Sequence, residues 1–359
     1  MTSAGTPKTV LVVDDSVAMC QFLQAVLDAD PELTVVGTAN NAYEARDLIK
    51  RLNPDVITLD IEMPYMDGLT FLRNLMRLHP MPVVIISSLT AAGADLTLEA
   101  LNLGAVDALV KRHPGAGGSH DDYLSDIRRS VRIASGANIS APHTQIRKEL
   151  KNPNLISWRK KVLRSGRLSE RLKSIIAIGS STGGPQALSV LLQSFANKQV
   201  GILAVQHMPE RFLASLARRL DAETDFSVEL ASHGRRLDPG TVLLAPGDTH
   251  MVLAKVDAEF YTHLKPAAGD EPHVPAVEEL FQSISRTAGS GAIGVLLTGM
   301  GNDGAEGMRA MHDRGSLTLV QDQATSAVWG MPGQAVALRA VDGEIPLPDF
   351  GATLNRVLD

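Results

Sequence analysis

Short runs of β-branched and aliphatic residues recur through the first third of the chain, spaced by roughly 25 residues and separated by amphipathic stretches. The runs at 9–13, 35–38, 56–59, 83–87 and 106–110 are nearly all apolar, the pattern of parallel strands buried on both faces. Between them, Ala45, Leu48, Ile49 and Leu52 follow the i, i+3, i+4, i+7 stripe of a helix. Asn53-Pro54 and His79-Pro80 stop two of the helices, and a further helix over 121–133 closes the module. Repeated strand–helix units of this kind predict a doubly wound parallel sheet.

Between 113 and 171 the periodicity fades. Gly115-Ala116-Gly117-Gly118, the small polar run around 134–142 and Asn152-Pro153-Asn154 read as connector, with part of 144–170 helical and Trp158 as its anchor. A second alternation begins at Ser174. Apolar runs at 174–179, 201–205, 241–245, 250–255 and 293–298, with helical stretches at 211–220 and 276–286, predict a second α/β layer fold. The expected organisation is a first domain at 8–130, a linker at 131–170 and a second domain at 171–359.

A length of 359 residues suits two such domains. Hydrophobic content of 44% with 21% charge is ordinary for soluble protein. The single cysteine, Cys20, excludes an internal disulfide and a cysteine-based metal cluster. The apolar run at 10–13 is too short for a signal peptide, and no stretch approaches the ~18 residues of a membrane span. The expected location is the cytoplasm, without membrane insertion. Charge changes this picture in one place. Residues 111–173 hold fifteen Lys and Arg against five Asp and Glu, so the rest of a chain of net charge −6 carries −16. The stretch fits a solvated linker or a contact with an acidic protein. Without a helix-turn-helix pattern, nucleic acid is not an expected partner.

Chemistry concentrates where the strands end. Asp14 and Asp15 follow the first strand, Asp60 the third, Ser87 ends the fourth and Lys111 follows the fifth. In a parallel sheet all these ends share one edge, where ligands bind. Clustered carboxylates repel unless a divalent cation joins them, and hard oxygen ligands suit Mg²⁺. Val-Val-Asp-Asp-Ser (12–16), Leu-Asp-Ile-Glu-Met-Pro-Tyr-Met-Asp-Gly (59–68), Ser87 and Lys111 resemble the receiver domain of two-component response regulators, a flavodoxin-like fold. The resemblance implies that Asp60 takes a phosphoryl group from a histidine kinase (CheA-like). It implies further that Asp14, Asp15 and Asp60 hold Mg²⁺, that Ser87 is the switch hydroxyl and that Lys111 pairs with the phosphate. The family's usual Lys-Pro is replaced by Lys111-Arg112, so the family's conformation of the following loop, and its coupling to partners, is not expected to carry over.

In the second half, Ile178-Gly179-Ser180-Ser181-Thr182-Gly183-Gly184 reads as G-x-S-x-G, a sharp strand-to-helix turn that exposes a serine. The same turn could instead hold an anion at a helix N-terminus. His207 and Asp303 lie after later strands, so a serine, a base and an orienting acid emerge on one sheet edge. His233, His250 and His263 compete with His207, and Asp248, Asp270 and Asp322 with Asp303. Met300, among glycines, is the expected backbone donor to an oxyanion. Gly-Ser-Ser-Thr-Gly-Gly-Pro, Gln-His-Met-Pro, Leu-Ala-Pro-Gly-Asp-Thr-His-Met (244–251), Leu-Thr-Gly-Met-Gly-Asn-Asp-Gly and Gly-Met-Pro (330–332) resemble the catalytic domain of the chemotaxis protein-glutamate methylesterases, the CheB family.

That resemblance implies a Ser181–His207–Asp303 triad with Thr182 and Met300 in the site and no cofactor there. It implies hydrolysis of glutamate methyl esters on chemoreceptors, and deamidation of receptor glutamines, under receiver control. The rival expectations are a second domain that binds a partner without chemistry, and an esterase with a non-receptor substrate. Where the family commonly reads Arg-Pro-Ser-Val, this chain has Val274-Pro275-Ala276-Val277, a departure expected to spare the triad.

Overall fold

The computed structural model describes residues 6–88, 90–111, 120–139, 175–269 and 271–358. The expectations for Arg112, for Gly115 to Gly118, for Trp158 and for most of the basic stretch lie outside these residues. The chain divides into two compact units, 1–140 and 141–359.

The first unit alternates β1 (Lys8–Val13), α1 (Val17–Asp28), β2 (Leu33–Ala39), α2 (Ala42–Leu52), β3 (Val56–Leu59), α3 (Gly68–Leu78), β4 (Val83–Ser87), α4 (Ala91–Asn102), β5 (Asp107–Val110) and α5 (His120–Ala134). Local signals set the helix limits. Asn41 caps α2 by accepting from the Tyr43 and Glu44 N–H groups, and the helix ends at Asn53, left-handed at φ 44°. The strands pair in parallel in the order β2-β1-β3-β4-β5. This is the doubly wound order whose crevice lies between β1 and β3, at their carboxyl ends. β3 and β4 are wholly buried, as their unbroken apolar runs require.

The second unit holds β6 (Ile175–Ser180), α6 (Gly184–Ser194), β7 (Gly201–Gln206), α7 (Glu210–Glu223), β8 (Ser227–Leu230), β9 (Thr241–Leu244), β10 (Thr249–Val256) and β11 (Glu259–Pro266). It continues with α8 (Val277–Thr287), β12 (Ala292–Leu296), α9 (Ala305–Asp313), β13 (Leu317–Gln321), α10 (Met331–Ala337), β14 (Gly343–Ile345) and α11 (Phe350–Leu358). Seven strands form one parallel sheet in the order β14-β13-β12-β6-β7-β9-β8. The run at 250–255 does not belong to it: β10 and β11 make a separate antiparallel hairpin. β6 leads to β7 on one side while β12 leads to β13 on the other, so the topological switch lies between β6 and β12. Val277, Leu280, Phe281 and Ile284 on α8 pack into the same core as Ile175, Leu203 and Leu296 of the sheet. Among the described residues no helix is long and apolar enough to cross a membrane.

Candidate active site and acidic pocket

Ser181 is the first residue after β6, and His207 the first after β7. The two strands pair as far as Ser180 and Gln206, and the His207 N–H donates to the Ser180 carbonyl at 3.0 Å. Pairing therefore leaves serine and histidine side by side at the carboxyl edge. On the other side of β6, the chain leaving β12 passes Ser181, whose N–H donates to the Thr298 carbonyl at 3.1 Å, and then reaches Asp303. Ser181 keeps a negative φ; the left-handed residue of the turn is Gly183, at φ 76°. A Cβ there would lie 2.8 Å from the Ala327 Cβ, so both conformation and space select glycine.

His207 Nε2 lies 2.7 Å from Asp303 Oδ2. Both side chains are about nine-tenths buried, with relative exposures of 11% and 8%. Asp303 also accepts from the Val277 N–H on Oδ2 at 2.7 Å and from the Glu278 N–H on Oδ1 at 2.9 Å. These are the first two N–H groups of α8, the positive end of the helix dipole. Burial opposes the Asp303 charge, but the His207 contact and the two backbone donors outweigh it and hold the carboxyl below its ordinary range. His207 Nδ1 is buried and has no hydrogen-bond partner among the described residues. The Ser181 hydroxyl is likewise unbonded among the described residues, so the structure joins histidine to aspartate but does not link serine to histidine. Such bonds are commonly loose in a free enzyme and tighten with substrate. The Thr182 and Met300 N–H groups donate to no protein group among the described residues, which leaves both free for an oxyanion.

The competing residues are placed elsewhere. His233 and His263 lie against each other, exposed, with ring centroids 4.4 Å apart. Asp322 accepts from the Thr325 N–H and hydroxyl in a local turn. His250 is fully buried on β10, and Asp270 is outside the described residues.

Three features of the site escape the sequence reading. Gln206, buried at the end of β7, donates from Nε2 to the Ser181 and His207 carbonyls at 2.9 and 3.0 Å and accepts the Ser180 hydroxyl at 2.7 Å. Its signal was a lone amide closing an apolar strand. The Thr298 hydroxyl ties the two loops together, donating to the Thr182 carbonyl at 3.0 Å and accepting the Val328 N–H at 3.0 Å. The Val277 N–H, at the end of the Val274-Pro275-Ala276-Val277 departure that was expected to spare the triad, and the Glu278 N–H beside it hold Asp303 by backbone, which no side chain signals. His273, just before that segment, stacks on His207 with ring centroids 4.4 Å apart.

Because the folded Asp303 carboxyl titrates below its unfolded value, its contribution to stability is complete above about pH 4 and is lost as pH falls through the folded value. Denaturant midpoints measured between pH 6 and about 3 should fall with acid for the native chain. The fall should be shallower for Asp303→Asn; equal slopes would show that Asp303 is not perturbed.

In the first unit, Asp14, Asp15 and Asp60 present oxygens within 4.8 Å of one another at the carboxyl edge. Asp14 and Asp60 are buried and Asp15 is exposed. Lys111 Nζ lies 2.8 Å from both Asp14 Oδ2 and Asp60 Oδ2. Burial raises the Asp60 carboxyl above its ordinary range, and Lys111 offsets this only in part. Burial works against the Lys111 charge too, but its bonds to Asp14 and Asp60 prevail and raise its pKa. Buried Asp14 Oδ2 has the ammonium beside it but no well-aligned hydrogen bond. An all-oxygen set of three carboxylates gathered this closely fits a hard divalent cation. Ser87 sits at the same edge, with Oγ 2.7 Å from Thr97 Oγ1. The Thr97 hydroxyl donates to the Gly93 carbonyl at 2.6 Å, so Ser87 donates to Thr97.

A family model described as CheB methylesterase matches residues 176–354, and one described as response regulator receiver domain matches 10–116. A protein-glutamate methylesterase/protein-glutamine glutaminase 2 of Saccharophagus degradans is 43% identical over 350 residues, 97% of this chain and 98% of its own. The chain belongs to the CheB methylesterase family. A CheB relative in Anaeromyxobacter dehalogenans, protein-glutamate methylesterase/protein-glutamine glutaminase 4, is 44% identical over 97% of this chain and 94% of its own. Among solved structures, the CheB methylesterase catalytic domain of Thermotoga maritima is 32% identical, covering 52% of this chain and 97% of that one, with TM-score 0.49. The response regulator domain of Thermotoga maritima CheB is 39% identical over 37% and 98%, with TM-score 0.34. As a CheB protein the chain is a hydrolase with a receiver, which supports the esterase reading and not the rival of a second domain that only binds a partner.

Proposed function

We propose that this chain hydrolyses glutamate γ-methyl esters on chemoreceptors, and deamidates receptor glutamines, under control of phosphorylation at Asp60. The receiver takes about 8–130 with α5 running on to Ala134, the linker follows to 170 and the esterase takes 171–359. The observation that carries the reading is the His207–Asp303 pair at the strand ends beside Ser181, with His207 Nδ1 left for a proton. An anion loop would have no use for a buried, acid-oriented base.

In the reaction, Ser181 Oγ attacks the ester carbonyl and its proton passes to His207 Nδ1. Asp303 holds the ring through Nε2 and stabilises the imidazolium. The oxyanion faces the Met300 and Thr182 N–H groups. Collapse breaks the C–O bond, and His207 returns the proton to the leaving methanol. Water, deprotonated by His207, then frees the glutamate carboxylate and Ser181. With a glutamine amide the same steps release ammonia.

In the receiver, Asp14, Asp15 and Asp60 would hold a Mg²⁺ ion, which when bound supplies charge neutralisation for an incoming phosphoryl group. Asp60 is the acceptor, Lys111 the fixed cation and Ser87 the hydroxyl that exchanges Thr97 for the phosphate. A cytoplasmic histidine kinase is the phosphodonor. Phosphorylation shifts the population towards an active arrangement. Methanol release from methylated receptor should rise when acetyl phosphate and Mg²⁺ are added to the full chain. It should not respond in Asp60→Asn. Equal stimulation in that variant would remove Asp60 as the switch.

A further inference from the structure

The geometry points to His250 as a positioning residue for the esterase triad, acting through the first turn of α8; this rests on the triad reading above. Helix α8 starts without a capping side chain of its own. An N-cap residue ordinarily lends a side-chain oxygen to the first turn, while a glutamate three residues on reaches back to the N-cap N–H. Here the N-cap residue is Ala276, which has no such oxygen. Glu279, three residues on, instead receives Lys265 Nζ at 3.1 Å.

Both halves of the cap are supplied by distant parts of the chain. Asp303 takes the Val277 and Glu278 N–H groups. His250 Nδ1 takes the Ala276 N–H at 3.1 Å. His250 lies on β10, is 0% exposed, and touches neither Ser181 nor His207 through any hydrogen bond among the described residues. Because Nδ1 accepts, the neutral ring carries its proton on Nε2, which lies 3.4 Å from Glu271 Oε1 without a well-aligned hydrogen bond. Glu271 Oε2 is itself held by the Ala268 N–H at 2.6 Å. The Ala276 N–H thus requires the tautomer whose Nδ1 is free, and a carboxylate lies on the Nε2 side to favour it, as Asp303 does more closely for His207; here the free lone pair binds backbone instead of a nucleophile. The other tautomer would set an N–H against the Ala276 N–H.

The consequence reaches the reaction through geometry. Asp303 Oδ2 receives the His207 ring and the Val277 N–H together, each at 2.7 Å. A shift of the first turn of α8 therefore moves the carboxylate that aims His207. Small misplacements of a catalytic group from outside the site cost up to about 100-fold.

The test uses the full chain and His250→Asn, His250→Gln and Glu271→Ala. Asparagine places a carbonyl oxygen near the Nδ1 position, whereas glutamine places its amide near Nε2. Methanol release is measured per Ser181 titrated with a fluorophosphonate, so unfolded molecules do not enter the rate. The glutamine variant should lose about 10- to 100-fold in kcat with little change in KM, and the asparagine variant should keep most of its kcat. Equal rates in the two, or a loss confined to KM, would overturn the assignment. If both core variants fail to fold, Glu271→Ala decides: its side chain is partly exposed, a fall in kcat is expected, and an unchanged kcat overturns it. Ser181→Ala is run beside them. Methanol release persisting there condemns the triad reading itself, independently of His250.

Discussion

Ser181→Ala should abolish methanol release from methylated receptor while leaving the fold intact. The expected fall in kcat is at least about 10⁴-fold, the scale on which serine hydrolases lose activity when the nucleophile is removed. The structure makes this substitution unusually clean. Everything Ser181 contributes to the turn comes from its backbone: its N–H donates to Thr298, and its carbonyl accepts from Gln206. The hydroxyl makes no hydrogen bond among the described residues, and alanine retains the Cβ that packs near Gly299. The melting temperature should therefore stay close to that of the native chain, as for a substitution within about 0.5 kcal/mol. Methanol release and thermal melting on one preparation separate the outcomes. Substantial residual release from a folded variant would assign the chemistry to another group.

Asp303→Asn should lose both activity and stability, in contrast to Ser181→Ala. Asp303 accepts from three donors on two oxygens. The amide offers one acceptor oxygen and turns an NH₂ group towards a donor, whichever way it flips. With its oxygen at the Oδ2 position, the Glu278 N–H faces the amide; with the other flip, both His207 Nε2 and the Val277 N–H do. Stranding buried donors costs about 1–3 kcal/mol each. For activity, losing the carboxylate removes the group that fixes the His207 tautomer, an effect of about 10⁴-fold in kcat in serine protease triads. The expected result is a deep loss of kcat with a clear drop in melting temperature. A variant with native kcat would mean that another acid orients His207.

Much of this site was legible because parallel strands buried on both faces read as unbroken apolar runs. The runs that became β6, β7 and β12 were visible, and the first polar residue after each of β6 and β7 is one of the proposed triad. The same logic placed Asp14, Asp60, Ser87 and Lys111 on the receiver edge. Strands without that pattern were missed. β14 has three residues, and β8 begins exposed at the sheet edge. β13 was missed for no such reason: Leu317–Gln321 is wholly buried with one threonine among its aliphatic residues, as in β3, and closes on a polar residue as β6 and β7 do. β10 was read as a strand but β11 was missed; both are only half-buried, which marks antiparallel pairing with one face to solvent. The turn joining them carries left-handed Asp257, at φ 54°.

By itself the sequence determined which residues close each apolar run, because strand burial is a local pattern and a parallel sheet sends every such end to one edge. It also set the order of a receiver module before an esterase module. Only the tertiary structure decided which groups meet. His207 and Asp303 are 96 positions apart, and Asp303 finds its helix donors 25 and 26 positions back. Such pairings depend on where α8 packs against the sheet, and no local run encodes that. The bare Ala276 N-cap was readable in the chain; that Asp303 and His250 would supply its missing partners was not.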